Sequence, residues 1–208
     1  MKKFTSITEA ADFLAVHSEG KTAENPINLH LQTNFGNMAE PGSAWNELLA
    51  AIEKPAKYVA LDLSLCTLNG SVFDPVSNCF TGKDKIVSII LPDAATAIAD
   101  GDLFNPTFSG FTSLLSFNGK GLSSIGDLAF RNCCSLMQSS LPKGLISIGA
   151  LAFYGCTKLA LSSLPEKLGS IGHYAFFNCT SLVLDSLPSG LSYIGDSAFC
   201  GCTIVNPY

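Results

Sequence analysis

Charged residues are scarce in this sequence, and their scarcity limits the partners that the chain can bind. Only 14% of the 208 residues are Asp, Glu, Lys or Arg, against 47% hydrophobic residues, and the formal net charge is −5. The few Lys and Arg residues form no cluster along the chain, whereas nucleic-acid binding needs a dense basic face that neutralises phosphates. We therefore predict no nucleic-acid partner.

Long apolar runs are also missing. No stretch reaches the roughly 18 consecutive apolar residues that cross a bilayer, so the sequence predicts no transmembrane segment. Lys2 and Lys3 imitate the basic start of a secretory signal, but Glu9 and Asp12 interrupt the apolar stretch that would have to follow. Without a signal peptide the default location is the cytoplasm, and a secreted or cell-surface location applies if the chain is a trimmed part of an exported protein.

Motifs for catalysis and metal binding are lacking as well. No serine lies in a GxSxG sequence, no glycine-rich stretch completes a phosphate-binding loop, and the three histidines fall in unrelated contexts. Eight cysteines are present, but none forms a CxxC pair of the kind that zinc sites use. Free buried thiols that pack as small hydrophobes are the favoured interpretation, with a metal or redox role as the alternative. We predict no enzymatic activity, no metal and no cofactor.

The sequence does contain an internal repeat of 23 residues. Four copies follow one another without a gap over residues 118–208: NGKGLSSIGDLAFRNCCSLMQSS, LPKGLISIGALAFYGCTKLALSS, LPEKLGSIGHYAFFNCTSLVLDS and LPSGLSYIGDSAFCGCTIVNPY. A unit this short cannot close a core by itself. It is typical of a solenoid, in which each coil buries its apolar face against the coils on either side.

Equivalent positions of the copies form columns, and each column predicts a structural role. Three columns are invariant and apolar: Ile125, Ile148, Ile171 and Ile194; Phe130, Phe153, Phe176 and Phe199; Cys133, Cys156, Cys179 and Cys202. We expect these side chains to form the continuous core. The column of Asn132, Gly155, Asn178 and Gly201 predicts left-handed turns, because Asn and Gly tolerate positive φ best.

The pattern LPxxLxSIGxxAFxxCxxL resembles the BspA-like leucine-rich repeats, a class that is also named for treponemes. The resemblance implies an α/β leucine-rich repeat solenoid with short parallel strands. It also implies adhesion and contact with host proteins as a family role. The family pattern is CxxLxxIxLP, and Ile86, Ile89, Leu91 and Pro92 follow it. The later copies depart from it, because Ser139, Ser162 and Asp185 stand where the second aliphatic residue belongs. We therefore predict a shorter or shifted strand in these copies and a discontinuous concave sheet.

Residues 1–64 predict an N-terminal α/β cap in the order helix, strand, helix, strand. Ser6 begins a helix that runs to about His17, Ser43 begins a second helix, and alternating apolar residues predict strands at Ile27–Leu31 and at residues 59–63. The region resembles the flank that opens treponemal-type arrays, and it would cover the first coil. Residues 65–117 are degenerate repeats, which brings the total to about six coils in one structural domain.

An extra stretch at residues 105–110, which includes Pro106, breaks the repeat register. Proline cannot donate to a strand ladder. We therefore predict that the sheet is interrupted within residues 93–117.

Large apolar residues in the variable columns and in the last copy mark a candidate binding surface. They are Tyr154, Phe177, Tyr174, Tyr193, Ile204, Val205 and Tyr208. A purely solvated face would carry Lys, Glu or Ser at such positions. The favoured function is a non-enzymatic module that binds a protein partner, or a hydrophobic ligand or peptide, through this surface. The alternatives are a self-assembling structural protein and, if the chain is exported, a surface adhesin that binds host proteins.

Overall fold

The computed structural model of the chain describes residues 2–75 and 81–204, which form short parallel strands and two helices. In chain order the elements are β1 (Lys3–Phe4), α1 (Ile7–Val16), β2 (Ile27–Leu31), α2 (Ala44–Glu53), β3 (Val59–Asp62), β4 (Val72–Phe73), a 3-10 turn (Lys83–Lys85), β5 (Ile86–Ile90), β6 (Ala97–Ile98), β7 (Ser116–Asn118), β8 (Ser124–Ile125), β9 (Ser147–Ile148), β10 (Ser170–Ile171), β11 (Val183–Leu184), β12 (Tyr193–Ile194) and β13 (Thr203–Ile204). The chain is therefore an α/β repeat solenoid, as the sequence predicted.

Both helices begin where their capping residues predicted. The Oγ atom of Ser6 accepts a hydrogen bond from the Glu9 N–H at 3.1 Å, and the Oγ atom of Ser43 accepts one from the Asn46 N–H at 3.3 Å. The carboxylate of Glu9 accepts the Thr5 N–H at 3.0 Å, which satisfies a further free donor at the start of α1.

A five-stranded parallel sheet in the order β1, β2, β3, β5, β7 joins the helical region to the first coils. The side chains of Ile27, Leu29 and Leu31 point into the core, as their alternation predicted. Trp45 on α2 is fully buried and lies edge-on to Phe35 and Phe73, at centroid distances of 5.9 and 6.1 Å. Helix α2 therefore packs against the first strand of the repeat region.

A second sheet of six strands runs along the solenoid in the order β4, β6, β8, β9, β10, β12. Each of its strands is two residues long and pairs in register with the next, for example Ile125 with Ile148 and Ile148 with Ile171. Beside this sheet the buried phenylalanines stack in a ladder: Phe130, Phe153 and Phe176 lie 5.2 Å apart, with nearly parallel rings. Phe199 continues the ladder at 5.3 Å.

The glycines that follow the isoleucines allow the coils to approach one another closely. A Cβ atom at Gly172 would lie 2.4 Å from the backbone N of Ala150, and one at Gly195 would lie 2.4 Å from the backbone N of His173. Neither glycine has a positive φ. Glycine is needed at these positions because backbone of the preceding coil occupies the space that a side chain would fill.

The predicted interruption within residues 93–117 was wrong. Strands β5 and β7 pair across this stretch, with Ile89 opposite Phe117, and β6 and β8 pair across it, with Ile98 opposite Ile125. The extra residues follow β6 and form a loop that leaves both ladders in register. Because Pro106 lies in that loop, its missing N–H costs no ladder hydrogen bond.

The predicted discontinuity of the concave sheet is confirmed, and it falls after β7. The backbone N–H groups of residues 138–141 and 160–164 donate no hydrogen bond within the described part of the chain. The side chain of Gln138 accepts the Phe117 N–H at 2.9 Å in place of a neighbouring strand. Ser139 and Ser162 are exposed, so these coils lack an aliphatic side chain at the position that would anchor a strand on the core, and in the second of them Leu161 is buried one position earlier.

Candidate protein-binding surface

The turns on the outer side of the four regular coils contain two left-handed residues each. The predicted column is confirmed, with φ of +60° at Asn132 and +56° at Asn178. A second column four residues earlier was missed by the sequence analysis because it contains no Asn or Gly. Its members also have positive φ: Leu128, Leu151, Tyr174 and Ser197. A left-handed conformation costs such residues roughly 1–2 kcal/mol each.

Hydrogen bonds between coils hold these strained residues in place. The N–H groups of Leu128 and Leu151 donate to carbonyls of the next coil at 2.8 Å, and the Tyr174 N–H donates to Asp196 O at 3.0 Å. Every coil therefore presents its turn side chains with the same backbone geometry. At Tyr174 this geometry leaves 41% of the side chain exposed.

Four of these turn residues form one stack across three coils. The rings of Tyr154 and Phe177 lie 5.1 Å apart at an interplanar angle of 3°, and Tyr174 leans on Phe177 at 5.7 Å. The Arg131 guanidinium lies over the Tyr154 ring at 5.8 Å. We call Arg131, Tyr154, Tyr174 and Phe177 the outer stack. The structure thus brings together three of the predicted site residues.

The loop after β6 extends this surface with two apolar side chains that the sequence analysis missed. Leu103 is 61% exposed and Phe104 is 90% exposed. The Oδ1 atom of Asp102 accepts the N–H groups of Phe104 and Asn105 at 2.7 Å, which fixes the turn, and these hydrogen bonds lower the pKa of Asp102. The Nη1 atom of Arg131 donates to Leu103 O at 3.0 Å and ties the loop to the outer stack.

Tyr193 lies outside the outer stack. It is in β12, and its Oη atom lies 2.9 Å from Nε2 of His173. The Asp196 N–H lies 2.9 Å from His173 Nδ1, and the Asp196 carboxylate lies 3.5 Å from the same atom, so Asp196 and Tyr193 contact opposite nitrogens of the ring. This second cluster adjoins the stack because His173 precedes Tyr174 in the same turn.

The remaining predicted site residues are in the last copy. Ile204 ends β13, whose backbone pairs with β11. Val205 and Tyr208 lie outside the described residues.

Three members of the cysteine column, Cys133, Cys156 and Cys179, form a buried row of thiols, and the fourth, Cys202, is half-buried. Cys156 Sγ donates to Phe130 O at 3.0 Å, and Cys179 Sγ donates to Phe153 O at 3.1 Å. Burial raises the pKa of Cys133 to about 12 and that of Cys156 well above its usual value. Such thiols are poor nucleophiles, since the thiolate is the reactive form. Cys134 and Cys200 are exposed.

No group of His, Cys, Asp and Glu that could hold a metal ion occurs within residues 2–75 and 81–204. A cleft of about 670 Å³ opens on another side, where the concave sheet has ended. It is lined by the Leu-Pro segments of two successive coils, including Pro142 and Pro165, and by Lys143, Glu166 and Lys167.

Stacked coils of this period with parallel strands define a leucine-rich repeat protein. The model of the BspA type leucine-rich repeat region matches residues 75–206 in six copies, and the chain belongs to this family. Leucine-rich repeat proteins are generally non-enzymatic modules that mediate protein interactions. In the described part of the chain, neither helix is long and apolar enough to cross a bilayer.

Two solved structures are similar to parts of the chain. A crystal structure of a leucine-rich repeat protein from T. pallidum is 30% identical, with 55% of this chain and 54% of that chain covered and a TM-score of 0.47. A leucine-rich repeat protein from Bacteroides ovatus is 18% identical, with 84% and 62% covered and a TM-score of 0.28. This chain thus spans about half to three fifths of the length of these relatives. No curated protein sequence matches it significantly.

Proposed function

We propose that this chain is a non-enzymatic module that binds a protein partner through the outer stack and the adjoining loop. The observation that supports this proposal is the exposure of Leu103, Phe104 and Tyr174, at 61%, 90% and 41%. Large apolar side chains that are exposed next to one another on a folded protein usually mark an interaction site. Aromatic residues and arginine are also the residue types that contribute most to interface energy.

Packing within the chain does not explain this surface. The invariant phenylalanine ladder already fills the core, and Tyr154 and Phe177 lie in a separate row that is only half-buried. Phe104 is almost fully exposed, so it contributes little to the core. Because the stacked rings are already fixed in place, a partner that covers them loses little side-chain entropy on binding.

A polypeptide partner fits the surface better than other classes of ligand do. The outer stack crosses three coils and presents a continuous row of ring edges, which suits an extended protein contact. It contains one cation, Arg131, which is too little positive charge for a phosphate backbone. The buried thiols have raised pKa values, and no nucleophile next to a base lies in the stack, so we propose that the module has no catalytic role.

Affinity capture with matched variants tests this proposal. The chain and a Tyr154→Ser/Phe177→Ser variant are immobilised, and the proteins that each retains from native lysate and host extract are quantified by mass spectrometry. We expect the wild-type chain to retain partners that the aromatic variant loses. A Lys158→Glu/Lys167→Glu variant, whose changes lie in other columns, is expected to retain them. Loss with the charge reversals but not with the aromatic replacements would contradict the proposal.

Light scattering over a concentration series covers the alternative of self-assembly. A mass that stays monomeric at every concentration excludes assembly through this surface. A mass that rises for the wild-type chain but not for the aromatic variant would make a second copy the partner.

A further inference from the structure

Arg131 carries a charge that the described part of the chain does not neutralise, because no carboxylate there forms an ion pair with it. Among the described residues, its guanidinium donates one hydrogen bond, from Nη1 to Leu103 O, and its Nε atom is buried without a partner. The buried Nε–H is out of reach of a partner, but the N–H groups of Nη2 have no acceptor among the described residues, so the guanidinium has hydrogen-bonding capacity left for a carboxylate.

A small cavity lies directly beside this guanidinium. Its volume is about 280 Å³, and its lining combines the exposed apolar residues Leu103 and Phe104 with polar ones, among them Ser109, Thr112 and Arg131. Pockets that enclose whole small molecules begin at roughly 300 Å³. The cavity is therefore of a size for one side chain, which would contact Leu103 and Phe104 on one side and polar groups on the other.

We infer that this cavity and Arg131 form a specificity site for a polypeptide segment in which Asp or Glu neighbours a large apolar residue. The apolar side chain enters the cavity, and the carboxylate pairs with the free N–H groups of the guanidinium. This inference rests on the proposed function, and it names the chemistry of the partner. A singly charged carboxylate suits the site better than a phosphate does, because Arg131 is the one cation among the described residues that line the cavity, and a single positive charge balances a single carboxylate.

The loop and the stack preorganise the site. The two hydrogen bonds to Asp102 Oδ1 fix the turn, and the Tyr154 ring supports the guanidinium from the other side. A charge-assisted hydrogen bond in such a position is expected to change affinity by about tenfold or more. The rest of the affinity comes from apolar contact, so binding remains only weakly dependent on salt.

Selection from a displayed library of random peptides tests the inference. The wild-type chain is the bait, and an Arg131→Met variant, which keeps the aliphatic stem, is the counter-selection. We expect the selected peptides to be enriched in Asp or Glu next to Phe, Leu or Trp. A Lys158→Met variant removes the same charge from an exposed position in another column and serves as the control. Thermal unfolding of all variants checks that they are folded.

A double-mutant cycle on the selected peptides then assigns the contact. Replacing the acidic peptide residue by its amide should weaken binding to the wild-type chain and to Lys158→Met about tenfold. The same replacement should leave binding to Arg131→Met unchanged. An equal loss for all three proteins would overturn the inference, as would an enrichment without acidic residues or no enrichment at all. A parallel selection without the counter-selection separates the two proposals: apolar peptides that lose binding to Tyr154→Ser/Phe177→Ser but not to Arg131→Met would overturn the inference and still leave the proposed function standing.

Discussion

At the scale of single residues, glycine occurs in the repeat for two different physical reasons. Gly155 and Gly201 occupy left-handed positions, with φ of +70° and +83°. Gly149 and Gly172 have no such φ and are glycine because the preceding coil leaves no room for a Cβ atom. Sequence columns alone do not separate these two causes, since both appear as glycine.

Replacing Gly172 by alanine tests the steric cause. The new Cβ atom would lie 2.4 Å from the backbone N of Ala150, and a backbone atom cannot move aside without shifting the coil. We expect a loss of about 1–3 kcal/mol in the free energy of unfolding, measured by urea denaturation. Gly169→Ala is the matched control in the same coil, because its nearest neighbour would be 3.7 Å away. A similar loss in both variants would contradict the steric explanation.

The buried thiols make stability depend on pH in the alkaline range. Burial raises the pKa of Cys133 from 9.0 to about 12, so the folded chain holds this proton more tightly than the unfolded chain does. At a pH below the pKa of Cys133 in the unfolded chain, its contribution to the free energy of unfolding is fully present. This contribution is lost as the pH rises toward the pKa of Cys133 in the folded chain.

We expect the free energy of unfolding of the wild-type chain to fall more steeply than that of a Cys133→Ala variant between about pH 8 and about pH 10.5, at up to about 1.4 kcal/mol per pH unit above the unfolded pKa. Urea denaturation at both pH values measures the difference. Parallel pH dependence in the two proteins would show that Cys133 does not contribute.

At the scale of elements, the sequence predicted local features better than the relation between neighbouring strands. Ser6 and Ser43 predicted both helix starts, because a capping side chain acts within its own turn. The break in repeat register around Pro106 led to a wrong prediction of an interrupted sheet, because a loop can hold extra residues without disturbing the strand pairing on either side. The left-handed Leu128 and Leu151 were not predictable from residue type, because hydrogen bonds from the next coil impose their conformation.

The candidate site was predictable only in part, because part of it depends on contacts between segments that residue type does not reveal. Aromatic residues in variable columns identified Tyr154, Phe177 and Tyr174, and repeat register alone was enough to align them. Leu103 and Phe104 lie in a segment without register, so no column marked them. Their exposure depends on the turn that Asp102 fixes and on the contact with Arg131, which are properties of the folded chain.

The unpaired segments after β7 predict a local difference in hydrogen exchange. The N–H groups of residues 138–141 and 160–164 have no acceptor within the described part of the chain, whereas those of the short strands and turns are bonded between coils. We expect exchange at residues 138–141 and 160–164 to be faster than at residues 145–149 and 168–172, measured by mass spectrometry with short peptides. Equal protection of these segments would show that a concave sheet does continue past β7.

At the scale of the whole molecule, the N-terminal part and the later coils are stabilised by different kinds of contact. The N-terminal part has two helices and three of the longest strands, whereas the later coils are joined mainly by strands of two residues, turn hydrogen bonds and the phenylalanine ladder. In a solenoid each coil contacts only its neighbours, so stability is close to a sum of local terms. A weakened coil should therefore affect the coils beside it more than the distant helical end.

Phe153→Ala tests this locality. Phe153 is fully buried and stacks on Phe130 and Phe176, both at 5.2 Å, so its removal should cost about 3–5 kcal/mol in the coils around it. The single tryptophan, Trp45, reports on the helical end, and reaction of the Cys156 and Cys179 thiols with a thiol reagent reports on the later coils. In urea we expect the thiols of the variant to become reactive at a concentration that leaves Trp45 fluorescence unchanged. If both probes shift together by the same amount, the chain unfolds as one cooperative unit and the stability of its coils is not local.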